Sequence, residues 1–295
     1  DEQGAVAMER RLFSRPWPWV QRTIQRSVVV NGQGLHSGVR TGLILQPLPP
    51  GSGIVFGNIS NAATLPARIE YVDSTGYATS LYHNGIVAKT VEHLLAALHG
   101  YRITNLLVKM QAEIPILDGS ASEFCSLLES AGIEDQGGHV DEIVIDRRYE
   151  VGERDGNGEY LCIEPAESFG VHYILDYPAP VGRQEYVFKF TDSDSFKSEI
   201  APARTFGFLR EIETLEKMGL ASGGRLNNCI LIGENGVVNT PLRFPDEFAR
   251  HKILDIMGDF YLLGKPLRGF VTARRTGHSD NVALLKLLRE RFELQ

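Results

Sequence analysis

The chain has 295 residues, of which 43% are hydrophobic and 23% are charged, and its formal net charge is −7. These values are typical of a soluble globular protein with two domains or one large one, and the negative charge gives no electrostatic support to nucleic-acid binding. The three cysteines lie far apart without a CxxC pair, which argues against a disulfide framework or a thiolate zinc site and suits a reducing compartment.

The first segment of the chain lacks the pattern of a regular element. Residues 1–22 contain two adjacent arginines and a proline–tryptophan cluster, without the apolar core of a signal peptide. We therefore expect an irregular N-terminal extension outside the fold, and an organellar targeting role for it stays open. No segment of the chain approaches the roughly 18 consecutive apolar residues that a membrane-spanning helix needs.

An N-terminal α+β domain is predicted over residues 23–136. The pair Asn84-Gly85 is the strongest short hairpin signal, and Gly100 has the position of a glycine that follows a helix. Residues 120–123 have the spacing of a capping box that opens a helix ending at Gly132. The expected strands are 23–30, 42–46, 53–56 and 104–110, the hairpin is 79–90, and the first helix begins at 90.

A C-terminal α+β domain is predicted over residues 139–295, with Gly137-Gly138 as the boundary. The expected strands are 142–151, 159–163, 171–175, 185–190, 229–232 and 268–274, the helices are 208–218, 246–263 and 279–292, and a glycine-rich turn covers 219–224. Each half therefore combines a few strands with helices, which predicts α+β layers rather than a parallel wound sheet.

The helix at 246–263 has polar side chains at a helical spacing. His251, Asp255 and Asp259 lie at i, i+4 and i+8, so they share one face of an otherwise apolar helix. Groups one turn apart can bind a single metal ion, and unpaired buried carboxylates are costly. A solvated helix face with a capping aspartate is the better explanation of this run when it is taken alone.

Two further runs make the metal hypothesis specific, because they supply the missing groups. Glu92-His93 adds a ligand and an adjacent carboxylate, and His278 follows Gly277 at a turn between a strand and a helix. With His93, His251 and Asp255 as ligands, a zinc ion keeps an open position.

In that arrangement Glu92 becomes the candidate general base and His278 the candidate general acid. Asp259 would bind one nitrogen of the His278 ring and favour its protonated form. The combination predicts an amide hydrolase.

Other interpretations of these residues remain open. Two histidines and a carboxylate are also the ligand set of non-haem iron oxygenases, and metal content and oxygen dependence would separate the two classes. Lys252 is most often a solvated charge in such a position, and His36 can simply pack or cap a loop. A binding module that has lost catalysis, and a hydrolase of another N-acetyl sugar, are the remaining alternatives.

Six motifs occur in one order along the chain and resemble a known family. They are GQGLHSG at 32–38, KTVEHL at 89–94, EIPILDGS at 113–120, ARTFGF at 203–208, HKILDIMGD at 251–259 and GHSDN at 277–281. Together they closely resemble the zinc-dependent UDP-3-O-acyl-N-acetylglucosamine deacetylases of lipid A biosynthesis, over about residues 23–292. The resemblance implies two α+β domains of similar topology, packed as layers with the active site between them.

The resemblance also implies a reaction and a set of roles. The reaction is removal of the acetyl group from the glucosamine nitrogen, the committed step of the pathway. Zinc, or Fe²⁺ in the same site, is held by His93, His251 and Asp255. The catalytic residues are Glu92 as base, His278 as acid, Asp259 as its orienting partner, Thr205 as oxyanion donor and Lys252 beside the substrate.

The substrate residues implied by the family are Phe206, Arg183, Glu211 and His36. Phe208, Ile212 and Leu215 form an apolar stripe on a helix. The stripe can belong to the core, but the family implies a passage for the acyl chain. The expected partner is the UDP-linked acylated glucosamine, with no nucleic acid and at most peripheral membrane contact. A cytoplasmic monomer is expected.

Overall fold

The structure is a computed structural model that describes residues 18–217, 223 and 227–294. Its first half contains β1 Val20–Ile24, β2 Val28–Gln33, β3 Arg40–Pro47, β4 Ile54–Asn58, β5 Thr64–Pro66, β6 Val72–Ser74, β7 Ser80–His83, β8 Ile86–Lys89, α1 Glu92–Gly100, β9 Leu106–Met110, α2 Ser122–Ala131 and β10 Ile133–His139. A short 3₁₀ turn at Ile69–Tyr71 precedes β6.

The second half repeats this alternation of strands and helices. It contains β11 Ile143–Val144, β12 Tyr149–Gly152, β13 Tyr160–Glu164, β14 Gly170–Tyr177, β15 Gly182–Lys189, α3 Ser193–Glu199, β16 Phe206–Phe208, α4 Leu209–Lys217, β17 Ile230–Gly233, β18 Gly236–Val237, α5 Glu247–Phe260, β19 Leu267–Arg268, β20 Phe270–Arg274 and α6 His278–Arg291. A 3₁₀ turn at Tyr261–Leu263 follows α5 and ends at Gly264, whose left-handed backbone (φ 85°) terminates the element as predicted.

The two halves share one sheet topology. The first has a five-stranded sheet in the order β2-β3-β9-β4-β5, and the second has the order β12-β13-β20-β14-β15. In each sheet the pairs are antiparallel except one, β4 with β9 in the first and β14 with β20 in the second. The predicted α+β class, with two units of similar topology, is confirmed.

The two halves of the chain contact each other through one helix from each half. Helix α1 packs against α5, and α5 also contacts β14 and β15. Every residue of α1 is buried, and only two residues of α5, Arg250 and Lys252, are not. Helices enclosed in this way need apolar side chains over most of their surface, so the polar residues that they do carry point to a function.

Two insertions flank the place where these helices meet. In the first half, β6, β7 and β8 form a three-stranded sheet between β5 and α1. In the second half, β16, β17 and β18 form another between β15 and α5, and α4 belongs to the same insertion. No helix among the described residues is long and apolar enough to cross a membrane.

Two predicted helix boundaries are wrong for local reasons. Gly100 does not follow α1 but is its last residue, where a Cβ would lie 2.2 Å from the ring of Phe196, so the glycine permits close packing. Helix α2 begins at Ser122 without the predicted capping box, since the Ser120 hydroxyl accepts the backbone N–H of Ser122 and donates its proton to Asp118. The end of α2 at Gly132 (φ 81°) is as predicted.

Strand boundaries differ from prediction where the chain turns. The segment 23–30 is interrupted between β1 and β2, and 142–151 is interrupted between β11 and β12. The helix predicted at 208–218 starts one residue later, because Phe206–Phe208 pairs in parallel with β17. The glycine-rich turn at 219–224 lies outside the described residues except for Gly223, as do residues 1–17.

The ends of the predicted N-terminal domain contain an unexpected strand pair. Trp19 is buried and β1 starts at Val20, so residues 19–22 belong to the fold rather than to an extension. Strand β1 pairs with β10, which contains both Gly137 and Gly138. These glycines therefore lie in an extended strand, and the division of the chain at that point stays a prediction.

Candidate metal-dependent active site

Three predicted ligands converge where α1 meets α5. His93 is the second residue of α1, and His251 and Asp255 lie one turn apart on α5. Asp255 Oδ1 is 3.6 Å from His93 Nε2 and 3.5 Å from His251 Nε2. All three residues are buried, and each offers one donor atom within 4.8 Å of the others. Two imidazoles and one carboxylate at this spacing suit a single divalent ion.

The hydrogen bonds of this cluster leave a place that a cation fits. His251 Nδ1 lies 3.0 Å from the carbonyl oxygen of Ala203, which can only accept, so Nδ1 carries the proton and Nε2 presents a lone pair. That lone pair faces Asp255 Oδ1, which is buried and has no hydrogen-bond partner among the described residues. Opposed acceptors repel one another unless a positive ion lies between them, so the residues fit a metal.

The protonation states of His251 and Asp255 suit metal binding, whereas burial alone would lower the pKa of His93 but the carboxylates of Asp255 and Glu92 raise it. Burial lowers the pKa of His251 to about 4, so the ring is neutral near pH 7. Burial alone would raise the pKa of Asp255, but the neighbouring His251 and His93 rings outweigh it and lower the pKa below its ordinary value. A neutral imidazole and an ionised carboxylate are the forms that bind metal.

A glycine lets the two ligand-bearing helices approach each other. A Cβ at Gly258 on α5 would lie 2.0 Å from the backbone oxygen of Glu92 on α1. The close approach requires a residue without a side chain, since the obstacle is backbone and cannot rotate away.

We expect Gly258→Ala to move the helices apart and to weaken metal binding, with a loss of roughly 1–3 kcal/mol in folding stability from overpacking. Metal titration of the folded variant tests this expectation, and Gly264→Ala, away from the ligands, is the comparison. Normal metal affinity in Gly258→Ala would show that the helix contact does not set the ligand distances.

Glu92 lies beside the ligand cluster as predicted. Its Oε2 accepts the backbone N–H of Thr79 at 3.2 Å, and its Oε1 is 3.5 Å from His278 Nε2. Burial raises the pKa of Glu92, while the rings of His278 and His93 partly offset the shift. A carboxylate whose pKa is raised towards neutrality is a better general base than an exposed one.

His278, which is partly buried, pairs with the buried carboxylate of Asp259. Its Nδ1 lies 2.6 Å from Asp259 Oδ2, which leaves Nε2 facing Glu92. Burial alone would lower the pKa of His278, but the carboxylates of Asp259 and Glu92 raise it to about 10. The helix N-terminus at His278 favours the neutral ring, and the two carboxylates outweigh it. The ring is therefore protonated at neutral pH.

Two residues of this network were not predicted. Thr79 donates its hydroxyl to Asp259 Oδ1 at 2.7 Å, and Asn281 donates its side-chain amide to Asp259 Oδ2 at 2.9 Å. Asn281 lies in the GHSDN run and one turn into α6, so helical spacing could have found it. Thr79 is 180 positions from Asp259 and carries no motif signal, so only the fold brings the two together.

A cleft opens over the cluster. It has a volume of about 370 Å³ and is lined by both insertions and by α5. Of the predicted substrate residues, it contains His36, Phe206, Phe208 and Glu211, and of the predicted catalytic residues, it contains Glu92, His278, Thr205 and Lys252. The three candidate ligands also line it. Groups from across the chain are thus gathered around one concave site.

Thr205 and Lys252 have well-defined surroundings in this cleft. The Thr205 backbone is held on both sides, because its N–H donates to Gly119 and its carbonyl accepts from Ile230.

Burial alone would lower the pKa of Lys252, but Tyr173 and Tyr177, with nearby carboxylates, raise it. Lys252 therefore keeps its charge, which makes it a cationic group on the cleft wall rather than a solvated lysine.

His36 lies in a loop that a buried carboxylate holds in place. Glu113 is 3% exposed, and its carboxylate accepts the backbone N–H groups of His36 and Ser37. Burial, together with the charge of Lys89, lowers the pKa of His36, so its ring is neutral at the cleft.

Three predicted substrate residues do not line the cleft. Arg183 points outward from β15 with Glu185 as its neighbour, as strand alternation requires. Ile212 and Leu215 lie on α4, a helix without buried residues, and Ile212 packs against Gly207. Among the described residues, Ile212 and Leu215 are thus not part of the hydrophobic core, whereas Phe208 packs against it.

Comparison with known proteins assigns this chain to a family. Residues 21–290 match the profile of the UDP-3-O-acyl N-acetylglycosamine deacetylase family. The chain belongs to this family. Proteins named UDP-3-O-acyl-N-acetylglucosamine deacetylase are 44% identical in Myxococcus xanthus (strain DK1622), covering 92% of this chain and 87% of the relative, and 42% identical in Anaeromyxobacter dehalogenans (strain 2CP-C), covering 91% and 87%. One from Coxiella burnetii (strain Dugway 5J108-111) is 38% identical and covers 91% and 89%.

Membership of the deacetylase family agrees with the resemblance seen in the six motifs. The match spans both five-stranded sheets and both helices that carry the ligand cluster. The enzymes of the family act on an amide, and a cluster that can hold a metal lies in the cleft of this chain.

Proposed function

We propose that this protein is a metal-dependent hydrolase of UDP-3-O-acyl-N-acetylglucosamine. The reaction cleaves the amide bond with water and gives UDP-3-O-acyl-glucosamine and acetate, the committed step of lipid A biosynthesis. The observation that carries the proposal is the buried cluster of His93, His251 and Asp255, with its orphaned carboxylate oxygen, beside Glu92 and His278. The family match supports the choice of substrate.

The metal we propose is zinc, with Fe²⁺ in the same site as the alternative. Zinc held by these ligands would polarise the amide carbonyl and bring the pKa of a water molecule close to neutrality. The ligand set of two neutral imidazoles and one carboxylate leaves room for such chemistry. Metal analysis of the purified protein separates the two ions, and oxygen-independent turnover excludes the oxygenase class.

The residues around the cluster divide the proton transfers between them. Glu92 accepts a proton from the attacking water, since its pKa is raised and its carboxylate lies beside the ligand His93. His278, protonated at neutral pH, donates from Nε2 to the leaving amine nitrogen. Thr205 donates its hydroxyl to the developing oxyanion, a type of contact often worth about 3 kcal/mol. Lys252 adds a positive charge on the same wall.

The rest of the cleft recognises the substrate. Phe206, Glu211 and His36 line it and are proposed to contact the nucleotide-sugar. Arg183 lies outside the cleft lining, so it stays the least supported member of the predicted set.

We also propose that the protein acts as a monomer in the cytoplasm, with at most peripheral contact to a membrane.

The acyl chain is proposed to follow the apolar side of α4. Phe208, the last residue of β16, lines the catalytic cleft, and Ile212 and Leu215 lie three residues apart on α4, which has no buried residues. Burying an acyl chain contributes roughly 0.8 kcal/mol per methylene group, part of which can hold the amide over the metal.

We expect Ile212→Asp to lower kcat/KM by roughly 10- to 100-fold on the acylated substrate, because a carboxylate in the passage opposes burial of the chain. Thermal stability and metal content should change little. Thr214→Asp places the same charge on an exposed position of the same helix and is the matched control. Equal losses on a substrate that lacks the acyl chain would remove the passage from the proposal.

Release of acetate from synthetic UDP-3-O-acyl-N-acetylglucosamine by the metal-loaded protein tests the function itself. UDP-N-acetylglucosamine and a free N-acetyl sugar serve as comparison substrates. We expect the acylated nucleotide-sugar to be hydrolysed far faster than either. Faster hydrolysis of another N-acetyl sugar would favour the rival hydrolase, and no hydrolysis of any of them would favour a binding module.

A further inference from the structure

Thr79 occupies a central position between the two proton-transfer residues. It lies immediately before β7, is fully buried, and belongs to none of the six motifs. Its backbone N–H donates to Glu92 Oε2 at 3.2 Å, and its hydroxyl oxygen lies 2.7 Å from Asp259 Oδ1 and 3.1 Å from His278 Nδ1. One residue therefore touches the base, the acid and the partner of the acid.

The direction of these hydrogen bonds follows from the groups involved. The ionised Asp259 carboxylate can only accept, so the single hydroxyl proton of Thr79 goes to Oδ1. The hydroxyl lone pairs then face His278 Nδ1, which lies 2.6 Å from Asp259 Oδ2 and 3.1 Å from the threonine oxygen. The ring is held from two sides with Nε2 turned towards Glu92.

The rest of the surroundings gives Asp259 little freedom. Its carboxylate is 0% exposed and accepts hydrogen bonds from Thr79, His278 and Asn281, so both of its oxygens are hydrogen-bonded. A β-branched side chain such as threonine has a restricted χ1 angle, which keeps the hydroxyl in one direction. A buried carboxylate that accepts three hydrogen bonds is held in one arrangement by them.

We propose that Thr79 is a positioning residue for both proton transfers, holding Glu92 through its backbone N–H and the Asp259–His278 pair through its hydroxyl. This inference rests on the catalytic roles proposed above for Glu92 and His278. Loss of the hydroxyl leaves Asp259 Oδ1 unpaired and removes one of the two contacts that hold Nδ1 of the His278 ring. Proton transfer depends on donor and acceptor being aligned, so turnover should fall while substrate binding is kept.

The test compares Thr79→Val with Thr79→Ser. Valine keeps the shape and the backbone N–H but lacks the hydroxyl, and serine restores the hydroxyl. For Thr79→Val we expect kcat to fall about 10- to 30-fold with KM changed less than about twofold, and for Thr79→Ser we expect most of the loss to be recovered. Metal content should equal that of the wild type in both variants.

Thr23→Val is the matched control for loss of a buried threonine hydroxyl. Thr23 is 2% exposed and donates its hydroxyl to the carbonyl of Asn105, away from the cleft. We expect this variant to lose some thermal stability and to keep its kcat. A Thr79→Val enzyme with normal kcat, or a Thr79→Ser enzyme as slow as Thr79→Val, would overturn the proposal.

A double-mutant cycle with Asp259→Asn shows whether the Thr79 hydroxyl affects turnover through Asp259. If the hydroxyl acts through Asp259, Thr79→Val in the Asp259→Asn background should cost little further turnover. Losses that multiply fully would contradict that route.

The roles on which the inference rests can fail separately. Normal turnover in Glu92→Gln and His278→Ala would overturn both the roles and this inference. Loss of turnover in those variants with a normal Thr79→Val would overturn this inference alone.

Discussion

We expect the Glu92→Gln variant to bind metal normally and to lose turnover by roughly 10²- to 10⁴-fold, the contribution typical of a positioned general base. Glutamine keeps the size of the side chain and can still accept the backbone N–H of Thr79, so the local structure should persist. It cannot take the proton of the attacking water. Glu92 lies outside the proposed ligand trio. With Asp255 and His278 it forms a second group close enough to hold an ion, so normal metal binding in Glu92→Gln would assign the ion to the first trio.

Asp255→Ala is expected to behave in the opposite way, because it removes the only anionic ligand of the cluster. We expect its metal content after purification to fall sharply, and turnover to fall with it. Metal analysis and single-turnover assays on both variants, prepared in parallel, separate the two roles. If both variants were equally free of metal, Glu92 would be a ligand and the division between ligands and base would be wrong.

The second large effect concerns His278 and pH. With a base that must be ionised and an acid that must be protonated, kcat/KM should follow a bell-shaped curve. The pKa of His278 is raised to about 10, so the ring holds its proton through neutral pH and loses it on the alkaline side. The alkaline limb should therefore report the loss of the proton from His278.

His278→Ala should depress the whole pH curve, by roughly 10²-fold or more at neutral pH, and change its alkaline limb. Measuring kcat/KM across the pH range for wild type and variant, at constant metal loading, tests this expectation. Asn281→Ala, which removes only one contact of Asp259, should shift the curve far less. An alkaline limb that keeps its position in His278→Ala would assign that limb to another group, and metal-associated water would become the better candidate.

The ligand cluster was largely predictable from the sequence, because part of it is local. His251 and Asp255 are one helical turn apart, and the helix that carries them exists where the apolar pattern predicted it. His93 could be paired with them only through the order of the motifs, since it lies on a different helix in the other half of the chain. The structure brings these three residues within one cluster.

The contacts that hold the cluster were not predictable, because they depend on packing. The sequence shows Gly258 only as a member of a motif, whereas in the structure it permits the close approach of α5 to α1. Gly100 looked like a helix terminator and instead accommodates the ring of Phe196. Thr79 gave no signal, because a single polar residue before a strand is common. Sequence periodicity describes one element at a time, whereas these roles arise between elements.

Some of the substrate residues were also predictable from the sequence, and others were not. Phe206 and Phe208 lie in a quoted motif and line the cleft, while Arg183 came from a softer correspondence and points away from it. The strand alternation of β15 decides the direction of Arg183, and a prediction of residue type alone does not include that direction.

The central claim is that one metal ion, held by His93, His251 and Asp255 beside Glu92, is required for deacetylation. Its most direct test is a zinc titration of the chelator-stripped protein, with acetate release from the UDP-linked acylated substrate as the readout. We expect stripped protein to be inactive and activity to rise linearly up to one zinc ion per chain, with no such rise in Asp255→Ala. Full activity in the stripped protein, or an equal rise in Asp255→Ala, would contradict the claim.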